Sequence, residues 1–205
     1  MKIVRVLLVD SEMIVCEMDD GSVVKRHEGT VAWRCNNPGN LKEGTFTKKN
    51  GSVGRDYIGH AVFPDVATGM YAHQQLLFGD QSRYRNMTLI DALKRYAPES
   101  DGNNPWEYQR YITEKTGIVE SRLLRTFTAE EREGMLACMR LFEGYREGMI
   151  SNYPEDFQQQ EVTEELTDEN TEDLQYAEDD EIEQPKPKIR KRTRRDRSQS
   201  EQEAD

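Results

Sequence analysis

HEGTVAWRCNNPGN, residues 27–40, is the stretch from which the rest of the chain is read. It begins with a glutamate beside a glycine, Glu28-Gly29, and closes on Asn36-Asn37-Pro38-Gly39-Asn40, which suit neither helix nor strand. Asn and Gly tolerate left-handed backbone and Pro fixes φ, so these five residues specify one rigid turn at little steric cost. Asparagine side chains carry both donors and acceptors, a combination suited to a polymer with hydroxyl and acetamido groups. Asparagine turns are also common as pure architecture, so the turn alone leaves both roles open.

On its amino-terminal side, residues 3–9 and 12–18 are rich in Val, Ile and Leu, and DDGS (19–22) forms a turn before VVKR. This pattern predicts a β-hairpin or small meander. On the other side, GTFTKKNGSVGRDYIGHAVF (44–63) mixes glycine with β-branched and aromatic residues, which predicts irregular β-structure with tight turns. From Pro64 the periodicity becomes helical. Met70, His73, Leu76 and Leu77 fall on one face, and residues 88–97 open with a threonine cap and stop at Pro98. Residues 104–117 begin with Asn104 and Pro105 and end at Gly117. Residues 128–148 open with a capping box, Thr128 with Glu131, and carry Met135, Cys138, Met139 and Phe142 along one face. The expected fold class is α+β, mostly helical, with a short N-terminal β-hairpin and an irregular β-loop region.

Composition limits the function classes. The 205-residue chain has a formal charge of −11, but residues 151–205 hold 18 of its 39 acidic and 8 of its 28 basic residues. Residues 1–150 are therefore nearly neutral, which argues against a nucleic-acid-binding core. The tail is acidic and then basic, too poor in apolar residues to offset ordering entropy, so 154–205 read as disordered. Its basic block is the one place where nucleic acid or an anionic surface could bind. Cys16, Cys35 and Cys138 form an odd set without paired spacing, and the three histidines, His27, His60 and His73, fall at no zinc-ligand spacing. No metal or cofactor is expected. The N-terminus lacks the features of a signal peptide, and no apolar run is long enough for a membrane span.

Several linked motifs carry a resemblance. WRCNNPGNLK, GSVGRDYIGHAVFPDVATGMYA, TLIDALKRYAPESDGNNPWEYQRYITEKTG and FEGYREGMI are similar, in order, to a family of phage virion proteins and type VI secretion effectors. That family resembles lysozyme-like peptidoglycan hydrolases. The match covers roughly residues 28–150, with Cys35 standing where the pattern usually has a third asparagine. It implies a division into a β-rich lead (1–26), a lysozyme-like catalytic domain (27–150) and the tail (154–205). It implies hydrolysis of β-1,4 bonds in cell-wall glycan, as a phage lysis or entry protein or a secreted antibacterial effector. The cytoplasmically made chain would then act at the cell wall or periplasm. Its expected partners are peptidoglycan, a virion or secretion-apparatus protein, or an immunity protein. The alternative is a virion structural or cell-wall-binding protein that keeps the fold without cutting.

A second similarity, to flagellar-type glucosaminidases, rests on Glu28-Gly29, Asn36–Lys42 and AVFPDVATGMYAHQQLL occurring in the same order. It implies Glu28 as the general acid. Glycoside cleavage needs a carboxylic acid still protonated near neutral pH, and desolvation beside Val31 and Trp33 would raise the pKa of Glu28. Asp56 is the expected second carboxylate, with Asp101 and Glu43 as alternatives. Glu143, near a predicted helix end and followed by Gly144, is the rival acid if the chain order is permuted relative to ordinary lysozymes. Asn36, Asn37 and Asn40 are expected to shape the glycan site, and Trp33, Tyr57 and Trp106 are aromatic platforms for sugar faces. His27 and His60 are expected at the surface, and Cys138 in the core.

Overall fold

Alternation of apolar and polar residues in the first 27 positions builds three strands, β1 (Ile3–Val9), β2 (Met13–Met18) and β3 (Val23–His27). The computed structural model describes residues 1–153, apart from the side chain of Asp101; the expected disordered tail, 154–205, lies outside the described residues. The strands form an antiparallel meander whose turns are set by short polar side chains. Asp10 Oδ1 accepts from the backbone N–H groups of Glu12 and Met13, and Asp20 Oδ1 accepts from Ser22 N and Oγ.

Between β3 and the helices the chain makes two short helices, α1 (Val31–Arg34) and α2 (Thr45–Lys49), and a two-residue hairpin, β4 (Gly54–Arg55) with β5 (Ala61–Val62). The expected irregular β-region thus includes a helical turn that glycine-rich composition concealed. Four longer helices follow: α3 (Val66–Phe78), α4 (Leu89–Tyr96), α5 (Pro105–Thr116) and α6 (Ala129–Phe142). The caps of the last three are the expected ones. Thr88, Asn104 and Thr128 each accept from a backbone N–H three residues on. The fold class is α+β.

The end of α6 departs from the sequence expectation. Gly144 takes a left-handed conformation (φ 72°) and stops the helix at Phe142 rather than 148. The chain then returns as β6 (Met149–Asn152), which pairs antiparallel with β3 and completes a sheet of order β1-β2-β3-β6. No periodicity in four exposed or half-exposed residues announced this strand. It fastens the last described segment to the N-terminal sheet, and places the end of α6 beside the turn at residues 28–30.

Two apolar cores meet at β5. Ala61 packs among the helices with Leu76, Leu93, Tyr96, Tyr108 and Met139, whereas its neighbour Val62 packs under the sheet with Ile3, Ile14, Cys16 and Cys35. Period-two alternation in a two-residue strand therefore divides the interior. All three cysteines are buried and unpaired.

Helix α3 lies so close to the asparagine turn that a Cβ at Gly69 would stand 1.9 Å from the Asn36 carbonyl oxygen. A Cβ at Gly134 in α6 would meet nothing nearer than 3.5 Å. Opposite signs follow for two helical Gly→Ala changes. Gly69→Ala should destabilise by about 3 kcal/mol, because the clash is with backbone. Gly134→Ala should stabilise by about 0.5–1 kcal/mol through helix propensity. Urea unfolding of the two variants checks this.

Candidate active site

The asparagines of the turn divide their labour. Asn37 is fully buried: its Nδ2 donates to the carbonyls of Leu41 (2.8 Å) and Ala61 (2.9 Å), and its Oδ1 accepts from Leu41 N. Asn36, with φ 50°, donates through Nδ2 to the carbonyls of Phe63 and Pro64 and accepts from Arg26 through Oδ1. Arg26 is itself buried. It also donates to the carbonyls of Trp33 and Arg34 at the end of α1, and stacks 4.3 Å above the Trp33 ring. Asn36 and Asn37, expected to touch glycan, spend their side-chain polar atoms inside the protein, and Trp33, expected to do the same, is buried with its ring against Arg26.

Asn40 differs. Its backbone is left-handed too (φ 49°), but its Nδ2 donates to Oε2 of Glu143 at 3.1 Å. The Tyr108 hydroxyl donates to the other oxygen, Oε1, also at 3.1 Å. Glu143 caps the C-terminus of α6, where the adjoining ring of Phe142 stacks on Tyr108 with centroids 4.0 Å apart. The residue keeps partial exposure, but its carboxyl group is packed deeply enough that desolvation dominates. Burial pushes its pKa up to about 7, against the smaller opposing pull of the Asn40 and Tyr108 hydrogen bonds.

Glu143 lies in the wall of a cleft of about 450 Å³ that also takes in Asn40, Tyr57, His60, Asn103 and Glu107. This size suits a small ligand or a few units of a polymer. The cleft joins segments far apart in sequence: the asparagine turn, the β4–β5 loop, the start of α5 and the end of α6. Tyr57, 39 % exposed, is the expected aromatic that does line it. Glu107 and Glu143 are the carboxylates among its lining residues.

Glu28 is elsewhere. It sits in a left-handed turn (φ 64°) after β3, its side chain is 64 % exposed, and its carboxylate lies 3.5 Å from the His27 ring. The desolvated setting expected beside Val31 and Trp33 does not exist, since Trp33 faces Arg26. The adjoining Gly29 has a packing reason: a Cβ there would stand 2.6 Å from Trp33 and 2.8 Å from the Gly148 nitrogen on the returning chain. The Glu-Gly pair is thus explained by the approach of two backbone segments.

Asp56 is also not a free carboxylate. It is 4 % exposed; Oδ1 accepts from the backbone N–H of Ile58 and His60, and Oδ2 faces His60 Nδ1 at 3.0 Å. Burial works to raise its pKa, but these bonds and His60 together outweigh it, and the net direction is down. An ionised, fully bonded aspartate holds its loop and cannot donate a proton. His60, expected at the surface, is 3 % exposed and lines the cleft. Glu43 is half-exposed outside the cleft, and Asp101 closes a 3-10 turn (Glu99–Asp101) two residues before the cleft-lining Asn103. Trp106 is half-exposed beneath Lys94, away from the core.

Sequence reasoning passed over Asn103, Glu107 and Tyr108. A signal was present: Asn103-Asn104-Pro105 repeats the Asn-Asn-Pro of residues 36–38, and Asn103 and Asn104 of the second copy line the cleft, as does Asn40 just after the first. Among the described residues no group of three His, Cys, Asp or Glu side chains is placed to hold a metal, and no helix is long and apolar enough to cross a membrane.

The raised Glu143 pKa links pH to stability. A carboxyl that titrates at about 4.5 in the unfolded chain and about 7 in the fold holds its proton more tightly when folded. Its stabilising contribution is complete below pH 4.5 and is lost as pH rises through 7. Glu143→Gln should therefore be near neutral at pH 4 and more stable than the parent at pH 8. At ~1.4 kcal/mol per pH unit the gain is up to about 3 kcal/mol, less if water enters the cleft. Chemical denaturation at the two pH values measures it.

Comparison with known proteins supplies no relative: no family model matches the chain, and neither a curated protein nor a solved structure matches it.

Proposed function

We propose that the protein hydrolyses β-1,4 glycosidic bonds in the glycan strands of bacterial peptidoglycan, with Glu143 as general acid. The observation that carries this reading is one carboxyl group, desolvated to a pKa of about 7, set in the wall of an open cleft at a helix end. Such a group still holds its proton at neutral pH, which is what protonating a leaving glycosidic oxygen requires. It is the placement foreseen for a permuted lysozyme-like arrangement, and we extend the α+β architecture to a lysozyme-like one on that ground.

In this mechanism Glu143 gives its proton to the bridging oxygen as the C1–O bond breaks, leaving positive charge shared by C1 and the ring oxygen. The resulting carboxylate faces that charge and then takes a proton from the attacking water. Asn40 and Tyr108 serve both states. Each donates to the carboxylate, and the Tyr108 hydroxyl has a second acceptor in the Met139 carbonyl, 3.5 Å away, when Glu143 is protonated. The exposed face of Tyr57 offers a surface for a sugar ring. A phage lysis or entry protein, or a secreted effector delivered to the cell wall, is the setting that fits.

Purified protein should release muropeptides from sacculi. Glu143→Gln should lower the rate about 10³-fold and Glu28→Gln less than about twofold. The rate should fall as pH rises above about 7, as Glu143 loses its proton. No release from sacculi that a control lysozyme digests would refute the hydrolase and leave a wall-binding or virion protein of the same fold.

A further inference from the structure

Three polar atoms in the cleft-lining residues are buried without a hydrogen-bond partner: Asn40 Oδ1, His60 Nε2 and Asn103 Oδ1. A buried polar atom left unsatisfied costs about 1–3 kcal/mol, so three in one site call for an explanation. Their chemistry is uniform. Asn40 has its amide donor on Glu143, and Asn103 donates through Nδ2 to the Pro98 carbonyl at 3.2 Å. His60 presents Nδ1 to the ionised Asp56, so in the neutral ring that nitrogen carries the proton and Nε2 keeps a lone pair. In each case one donor N–H is bonded to an acceptor in the protein, and the orphan atom is an acceptor.

We propose that Asn40, His60 and Asn103 form a donor-reading wall that takes the N–H and O–H groups of an N-acetylated hexosamine, with Asp56 as the positioning residue that fixes the His60 tautomer. This rests on the reading of the cleft as a glycan site and names the residues that would read the acetamido and hydroxyl groups. An acetamido N–H and ring hydroxyls supply the donors that three acceptors need. A ligand presenting acceptors, such as a phosphate or a carboxylate, would meet lone pairs. Sites that hydrogen-bond a substrate group discriminate strongly against analogues lacking it, because their own polar atoms are then left unpaired.

Asp56→Asn provides a near-isosteric test. The backbone N–H groups of Ile58 and His60 require an oxygen at the Oδ1 position, so the new amide nitrogen must occupy the place of Oδ2, facing His60 Nδ1. His60 must then move its proton to Nε2, and an acceptor in the wall becomes a donor. Replacing a histidine's aspartate partner in this way installs the wrong tautomer while leaving geometry intact.

The experiment uses the full chain and a β-1,4-linked N-acetylglucosamine tetramer, with cellotetraose as the analogue lacking acetamido groups. Nitrogen-15 NMR of the His60 ring reads the tautomer, and calorimetry reads the affinity. The parent should show protonated Nδ1 and should prefer the acetylated tetramer at least about 10-fold. Asp56→Asn should show protonated Nε2 and bind the tetramer about 10–100-fold more weakly. Asn103→Leu, on a half-exposed loop, should weaken it about 10-fold without altering the tautomer, and serves if Asp56→Asn does not fold. Equal affinity of parent for both tetramers, or a switched tautomer with unchanged affinity, would overturn the proposal. Selective, tautomer-dependent binding by a protein inert on sacculi would uphold this wall and reject the hydrolase; digestion of sacculi with unchanged affinity in both variants would do the reverse.

Discussion

Everything in the cleft depends on the turn at residues 36–40 being held from inside. Asn37 bonds β5 and its own loop, and Asn36 bonds the segment after β5 while accepting from Arg26. These bonds are buried, so each is stronger than its exposed counterpart and each is costly to leave unmade. Neither Asn36 nor Asn37 has a polar atom left for a ligand. Their work is to bring the next asparagine, Asn40, to a place where its amide reaches the end of α6, 103 residues later in the chain. Pro38 and Gly39 complete the turn, with Gly39 so close to the His73 ring that a Cβ would stand 2.7 Å from it.

The end of α6 is fixed from the other side by chain return. Gly144 ends the helix, and Gly148 approaches within a distance of His27 and Gly29 that tolerates no side chain: a Cβ at Gly148 would stand 2.1 Å from the Gly29 nitrogen. The sheet then closes by pairing β6 with β3. Glu143 is thereby held between the asparagine turn, through Asn40, and helix α5, through Tyr108. Its elevated pKa follows from this confinement, with Tyr108 and Phe142 stacked beside it excluding water. The energy that keeps this carboxyl protonated near neutral pH is drawn from folding stability.

Local signals made the elements legible. Threonine and asparagine caps, Pro105 at a helix start and the DDGS turn each act within a few residues, and the sequence placed the strands and longer helices accordingly. The α2 turn and β6 were not legible, because α2 hides among glycines and β6 is a four-residue edge strand with little burial. The site was half legible. Asn40, Tyr57 and Glu143 were named, but Glu28 stood ahead of Glu143 because a motif order cannot reveal which carboxylate the fold desolvates. Burial depends on contacts across a hundred residues. His60 shows the same lesson: a histidine in a glycine-rich loop looks exposed, whereas backbone pairing with Lys42 and bonds to Asp56 hold it inside.

The measurement closest to the central claim is a carbon-13 NMR titration of the Glu143 carboxyl group, assigned by loss of its signal in Glu143→Gln. The account predicts a midpoint near 7 and a shift of that signal when a β-1,4-linked N-acetylglucosamine tetramer is added, with the Glu28 signal unmoved by the sugar. A midpoint in the ordinary carboxylate range of about 4.3, or a sugar response at Glu28 and not at Glu143, would contradict it.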